Sequence, residues 1–163
     1  MKKSIIVMCA LLATSVAGAS EFDMPAAACT PDAPAIQNNR YTITGSGAVT
    51  HAGAQTGLIT LYCPLSATIS APGNMEITWK SDLADVLNNY VNVSYIKMAK
   101  STGAISQVKF ESSTSGTNNN TVQVTSGTFT DTYNQSAYVY YVRVDLMRSS
   151  TAHSVTFYKV TVW

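Results

Sequence analysis

The stretch MEITWK, residues 75–80, alternates apolar and polar side chains without interruption. Its apolar side chains occupy every second position, at Met75, Ile77 and Trp79. Successive side chains of a β-strand point to opposite faces of a sheet, so this spacing gives the segment one apolar face and one polar face. The stretch therefore predicts a half-buried strand of an antiparallel sheet.

Similar segments follow one another from Arg40 to the end of the chain, separated by turn residues. They are RYTIT (40–44), GLITLYC (57–63), YVNVSYIKMAK (90–100), AISQVKFE (104–111), short runs near 122–124 and 129, AYVYYVRVDLM (137–147) and HSVTFYKVTVW (153–163). The phase of alternation changes at Ile96, which predicts a β-bulge. Only SDLADVLNN (81–89) has helical spacing. The sequence predicts an all-β fold, a single antiparallel β-sandwich of eight or nine strands, with a jelly roll as one form it can take.

The N-terminal residues predict two segments that precede the sandwich. Lys2 and Lys3, an apolar run and the small residues Ala17-Gly18-Ala19 have the layout of a signal peptide over residues 1–19, cleaved after Ala19. Residues 20–39 are rich in proline and lack periodicity, so we expect an extended arm there. The sandwich domain is then expected over residues 40–163. The mature protein would be secreted, to the periplasm or the extracellular space, without a transmembrane anchor.

The charge of the chain excludes some classes of partner. Charged residues make up 12% of the sequence, and without Lys2 and Lys3 eight basic residues face nine acidic ones. A nearly neutral chain lacks the basic surface that binds nucleic acid or an anionic membrane.

Two cysteines remain after the predicted cleavage, Cys29 and Cys63. In an exported chain an even pair predicts a disulfide, with two buried thiols as the alternative. The segment 28–65 also resembles a loosely defined group of bacterial exported proteins. The resemblance covers about a quarter of the chain and rests on a cysteine, an R-Y-x-x-x-G strand and a C-P-[LI] strand end, here Cys29, Arg40, Tyr41, Gly45, Cys63, Pro64 and Leu65. It implies a disulfide between the arm and an early strand and implies no ligand.

Motifs of the common enzyme classes are missing from the sequence. It has no G-x-S-x-G, no phosphate-binding loop and no dinucleotide fingerprint, and it predicts no catalytic residue and no cofactor. The histidines, His51 in a Gly/Ala-rich loop and His153, are expected at the surface. Oxygen ligands for calcium cluster at Asp82, Asp85 and Asn88, without the spacing of an EF-hand, and a solvated turn is the alternative to a metal site.

The strand over residues 137–147 carries the candidate ligand-binding site. Its even-numbered positions, 138 to 146, are apolar or aromatic and predict the face toward the core. The opposite face then presents Tyr141, Arg143 and Asp145, each about 7 Å from the next. An aromatic ring beside a guanidinium and a carboxylate can bind a sugar. The alternative is that Arg143 and Asp145 pair with cross-strand neighbours while Tyr141 covers the sheet.

Two functions are compatible with these residues. The first is an exported, non-catalytic binding or adhesion module with a glycan or another cell-surface component as ligand. The second is a structural subunit of an extracellular or surface assembly, in which the arm 20–39 completes the sheet of a neighbouring copy. A hydrolase is the less favoured third hypothesis, with Asp145 or His51 as its catalytic group.

Overall fold

The computed structural model describes residues 21–65, 73–82, 88–113 and 121–163. The described residues form eleven β-strands, the short α-helix Ala33–Gln37 and one 3-10 turn, Ala26–Ala28. The strands are β1 (Phe22–Pro25), β2 (Thr30–Pro31), β3 (Tyr41–Ile43), β4 (Val49–His51), β5 (Gly57–Pro64), β6 (Asn74–Ser81), β7 (Asn89–Ala99), β8 (Ile105–Ser112), β9 (Val122–Thr128), β10 (Tyr138–Arg148) and β11 (Val155–Val162). The predicted signal peptide and residues 83–87 of the helix-like segment lie outside the described residues.

The strands form two antiparallel sheets. A six-stranded sheet has the order β3-β4-β11-β6-β9, with β1 also paired to β11, and a five-stranded sheet has the order β2-β5-β10-β7-β8. From β4 onward, β4, β6, β9 and β11 lie in the first sheet and β5, β7, β8 and β10 in the second. This is the order of a jelly roll. The predicted sandwich is confirmed. It has more strands than expected because β1, β2 and β4 are short, while the short strand predicted at 129 is wrong, since β9 ends at Thr128.

The core lies between the two sheets and consists of the predicted apolar faces. Met75, Ile77 and Trp79 are fully buried, as MEITWK predicts. They pack with the inward side chains of the other long strands, which are Ile59, Leu61, Cys63, Val91, Val93, Tyr95, Tyr140, Val142, Val144, Leu146, Val155, Phe157, Val160 and Val162. The predicted irregularity near Ile96 is also present, since the β7–β8 register shifts between Tyr95 and Ile96.

The N-terminal segment contributes one short strand to each sheet. Where the sequence predicts an extended arm over 20–39, β1 pairs with β11 and β2 pairs with β5. Lys159 and Thr161 of β11 both donate hydrogen bonds to the Asp23 carboxylate of β1. The prolines at the ends of β1 and β2 keep both strands short. Within the described part of the chain, no helix is long and apolar enough to cross a membrane.

The predicted disulfide is present between Cys29 and Cys63, with an S–S distance of 2.04 Å. Cys63 is fully buried in β5, and Cys29 directly precedes β2. The bond therefore holds β2 against β5 from the inside of the sandwich, while Thr30 lies opposite Tyr62 on the same pair of strands.

Candidate functional site

The candidate site lies on β10, the central strand of the five-stranded sheet. Its even-numbered residues face the core: Tyr140, Val142, Val144 and Leu146 are buried, and Tyr138 packs against them. The odd-numbered residues Tyr141, Arg143 and Asp145 are half-buried on the outer face. Their common face is the one that the alternation predicts.

Tyr141 forms one wall of a shallow cavity on this outer face. The cavity has a volume of about 450 Å³ and is lined by Thr30, Tyr62, Pro64, Met98 and Tyr141, residues of strands β2, β5, β7 and β10. We call it the tyrosine groove. The rings of Tyr62 and Tyr141 have their centroids 6.1 Å apart and their planes tilted by 56°. Tyr62 is 42% exposed, so a ligand can reach its ring from solvent.

The Tyr62 ring and burial together alter the acidity of Tyr141. Burial raises the pKa of the Tyr141 phenol above its usual value, and the neighbouring Tyr62 raises it further. The phenol therefore stays protonated at every ordinary pH, and its O–H can donate as well as accept a hydrogen bond.

Arg143 and Asp145 form a charge pair beside the groove. The guanidinium contacts the carboxylate through two nitrogen atoms, Nε to Oδ1 at 3.1 Å and Nη2 to Oδ2 at 3.0 Å. The Thr60 hydroxyl donates a third hydrogen bond to Oδ1 at 2.8 Å. Of the three predicted site residues, only Tyr141 lines the groove. Arg143 and Asp145 pair with each other within β10, and of the cross-strand contacts that the alternative expects, the structure shows the one between Asp145 and Thr60.

The sequence pattern does not reveal four of the groove residues. Tyr62 lies on the polar side of GLITLYC, so its outward direction could be read from the alternation. That β5 is the neighbour of β10 could not be read there, because the two strands are far apart in the chain. The same holds for Thr30, Pro64 and Met98, which the sheet brings together.

A second cavity, of about 330 Å³, lies at the end of β10 where residues 129–137 approach the sheet. Its lining includes Tyr133, Tyr140, Gln135 and Lys100. Their polar groups bond within the same region: the Tyr140 hydroxyl accepts from Asn134 N, Gln135 Nε2 donates to the Tyr133 hydroxyl, and Lys100 donates to the Gln135 carbonyl. These bonds stabilise the loop, so we place the candidate site at the tyrosine groove.

The structure describes two of the three calcium candidates, Asp82 and Asn88. The Asp82 carboxylate accepts a hydrogen bond from Ser154 N at 2.7 Å and lies 3.6 Å from His153 Nδ1. Asp85 lies outside the described residues. Among the side chains that are described, no three His, Cys, Asp or Glu residues are grouped closely enough to hold a metal ion.

His51 is buried, and its expected surface position is wrong. It ends β4 with 4% exposure, and its Nε2 donates to the Gly57 carbonyl at 2.8 Å. Arg148, also buried, donates to the carbonyls of Gly53 and Gln55 in the same turn. Burial lowers the pKa of His51 to about 4, and the charges of Arg148 and Arg40 contribute. Both side chains stabilise the turn over residues 52–57 and lie off the groove.

Comparison with known proteins gives structural similarity only. No protein-family model matches the chain, and no curated protein matches it. Among solved structures, a family two carbohydrate esterase from Cellvibrio japonicus matches with a TM-score of 0.44 and 12% identity, over 88% of this chain and 33% of the esterase, so the chain spans about a third of that protein. The xylan-binding module CBM15 matches with a TM-score of 0.45 and 14% identity, over 75% of this chain and 80% of the module. A family 29 carbohydrate-binding module matches with a TM-score of 0.38 and 9% identity, over 88% and 80% of the two chains.

Proposed function

We propose that the chain is an exported, non-catalytic glycan-binding module whose ligand binds in the tyrosine groove. The observation that carries the proposal is the position of Tyr62 and Tyr141, two partly exposed rings on adjacent strands that line one shallow cavity. A pyranose ring has an apolar C–H face and a rim of hydroxyl groups. An aromatic wall can stack on that face while polar groups at the margin fix the orientation of the sugar.

The charge pair supplies those polar groups. Arg143 lies directly opposite Tyr62 across the β5–β10 pair, so the guanidinium is next to the groove. Its side chain is 42% exposed, whereas that of Asp145 is 20% exposed. A sugar hydroxyl can accept from the guanidinium and donate to the carboxylate, and both contacts would be charge-assisted.

The surroundings of Asp145 support binding without catalysis. Its oxygens already accept from Arg143 and Thr60. Glycosidases need two carboxylates on either side of the scissile bond, about 5–10 Å apart. Here the residues opposite Asp145 on the neighbouring strands are Thr60 and Asn92, which carry no carboxylate.

Export of the module is supported by the disulfide. A bond such as Cys29–Cys63 persists in oxidising compartments and is rare in the cytosol. The predicted cleavage after Ala19 remains a prediction, which mass spectrometry of the secreted protein would test through the mass of the mature N-terminus.

A glycan array tests the proposed function directly. Tyr141→Ala and Tyr62→Ala should each abolish the array signal of the wild-type protein without lowering its Tm, because both rings are on the outer face. Tyr158→Ala, on β11 of the other sheet, is the matched control and should leave the signal unchanged. If the Tyr141→Ala variant gives the same array signal as the wild-type protein, the groove is excluded as the binding site.

The position of the arm gives little support to the alternative function, that of a structural subunit. β1 and β2 pair with β11 and β5 of the same chain, so neither strand is available to a neighbouring copy unless these pairings exchange between copies. Electron microscopy of the purified protein distinguishes the two functions, since an assembly subunit should form filaments or closed oligomers and a binding module should not.

A further inference from the structure

The charge pair beside the groove has no net charge, and the residues directly opposite it on the neighbouring strands are uncharged. Arg143 and Asp145 hold each other through two contacts, at 3.0 and 3.1 Å. Opposite them on β5 and β7 are Tyr62, Ser94, Thr60 and Asn92. The next strand, β8, places Phe110 and Ser112 in the same two rows. Across β5, β7 and β8 these two rows therefore hold no other charge. Beyond Thr60, Asp32 donates its backbone N–H to the Thr60 carbonyl, and its carboxylate, which accepts from Ala35 N, would also repel an acidic ligand.

The pairing of Arg143 with Asp145 also determines which ligand groups can bind to the guanidinium. A guanidinium with exposed donors is a strong binding site for carboxylates, which it holds with two parallel hydrogen bonds. Asp145 occupies this fork from within the same strand, and it competes at a high effective concentration because it is covalently tethered. An incoming carboxylate would have to displace Asp145 from the Nε and Nη2 donors or bind to Nη1 beside it, and in both positions the Asp145 charge would repel it.

We infer that the site selects uncharged glycans over those that contain uronic acids, and that Asp145 is the residue that sets this selectivity. The inference rests on the proposed function and specifies its ligand class. Asp145 acts by occupying the guanidinium of Arg143, so that only groups without charge, such as sugar hydroxyls, bind beside the tyrosines. Removal of the Asp145 charge should therefore create a binding site for a ligand that the wild-type protein rejects.

Native affinity electrophoresis tests the inference with defined polymers. Hydroxyethylcellulose and galactomannan serve as neutral probes, and polygalacturonate and alginate serve as acidic probes. The wild-type protein should be retarded by a neutral polymer and not by the polyuronates. Asp145→Asn keeps the size of the side chain and its acceptor for the Thr60 hydroxyl, and it frees Arg143. This variant should gain binding to a polyuronate by about tenfold, and the gain should disappear at high salt.

The double variant Arg143→Gln, Asp145→Asn is the matched control. It lacks both charges and should lose the acquired polyuronate binding while the Tm shows that it is folded. The wild-type comparison tests the inference even if Asp145→Asn does not fold. Two results would overturn the inference and leave the proposed function intact. One is equal retardation of the wild-type protein by neutral and acidic polymers, and the other is a folded Asp145→Asn variant that gains no polyuronate binding. Absence of wild-type binding to every polymer would overturn the proposed function and the inference with it.

Discussion

The rings of Tyr62 and Tyr141 lie side by side across two adjacent strands, but their planes are tilted by 56°. In the β5–β10 register Tyr141 lies opposite Pro64 and Tyr62 lies opposite Arg143, so the two rings are diagonal neighbours. A single flat sugar ring cannot stack on both planes at once. The shape of the groove therefore favours a ligand whose own rings change direction along its length.

This geometry predicts that affinity increases with the number of sugar units. A monosaccharide can stack on one tyrosine, whereas an oligosaccharide can turn about its glycosidic bonds and contact both. We expect an oligosaccharide to bind at least about tenfold more tightly than its monosaccharide, which corresponds to roughly 1.4 kcal/mol. Isothermal titration calorimetry with a chain-length series measures this difference. In Tyr62→Ala the affinity for the oligosaccharide should fall to the level of the monosaccharide, which is too weak to give an array signal. Equal affinities of the wild-type protein for the monosaccharide and the oligosaccharide would contradict the prediction.

The disulfide should contribute to the stability of the fold. The bond between Cys29 and Cys63 closes a loop with a sequence separation of 34. On the chain-entropy account, the double variant Cys29→Ala, Cys63→Ala should lose about 3–4 kcal/mol of unfolding free energy. Urea unfolding monitored by Trp fluorescence measures the loss. Reduction of the wild-type protein should lower the midpoint similarly and should not affect the double variant; an unchanged midpoint in both would contradict the prediction.

A partly buried ion pair should hold the loop over residues 129–137 to β7. Lys97 Nζ binds the Asp131 carboxylate, whose side chain is 7% exposed, and lies 5.3 Å from the centre of the Tyr138 ring. Lys97→Met leaves the buried carboxylate without its cation and should reduce the unfolding free energy by roughly 2–3 kcal/mol. Adding Asp131→Asn to this variant should restore part of the loss, because an amide is less costly to bury than a charge. A double variant no more stable than Lys97→Met would contradict this account.

The sequence predicts the direction of side chains well because strand periodicity is a local property. Trp79 and Val144 are buried where alternation places them, and Tyr141 faces outward as expected. The pairing of strands is not local. That Tyr62 lies beside Arg143, with Thr30 completing the groove, depends on which strands become neighbours and on the β5–β10 register. The sequence therefore predicts the side of the groove formed by Tyr141, and it does not predict the side formed by Tyr62 and Thr30.

Short elements explain most of the remaining differences. A strand of two or three residues is too short to show period-two alternation, so β2 and β4 are not evident from the sequence. For this reason the sequence predicts His51 at the surface, although β4 and the following turn bury it. The burial of Arg148 is not evident from alternation either, because it depends on the backbone carbonyls of the turn 52–57, which accept from its guanidinium at the end of β10.

The buried His51 predicts a loss of stability in mild acid. Its pKa is lowered from 6.5 to about 4 in the folded protein, so below pH 6.5 the unfolded chain takes up a proton that the folded chain does not. The unfolding free energy should therefore be constant above about pH 7 and should fall between pH 6.5 and 4, by up to roughly 3 kcal/mol. Asp23, whose pKa is lowered from 3.8, contributes only at lower pH. Urea unfolding between pH 4.5 and 7.5 measures the slope, which His51→Gln should flatten and His153→Gln should leave in place. A His51→Gln variant with the wild-type slope would show that another group causes the acid sensitivity.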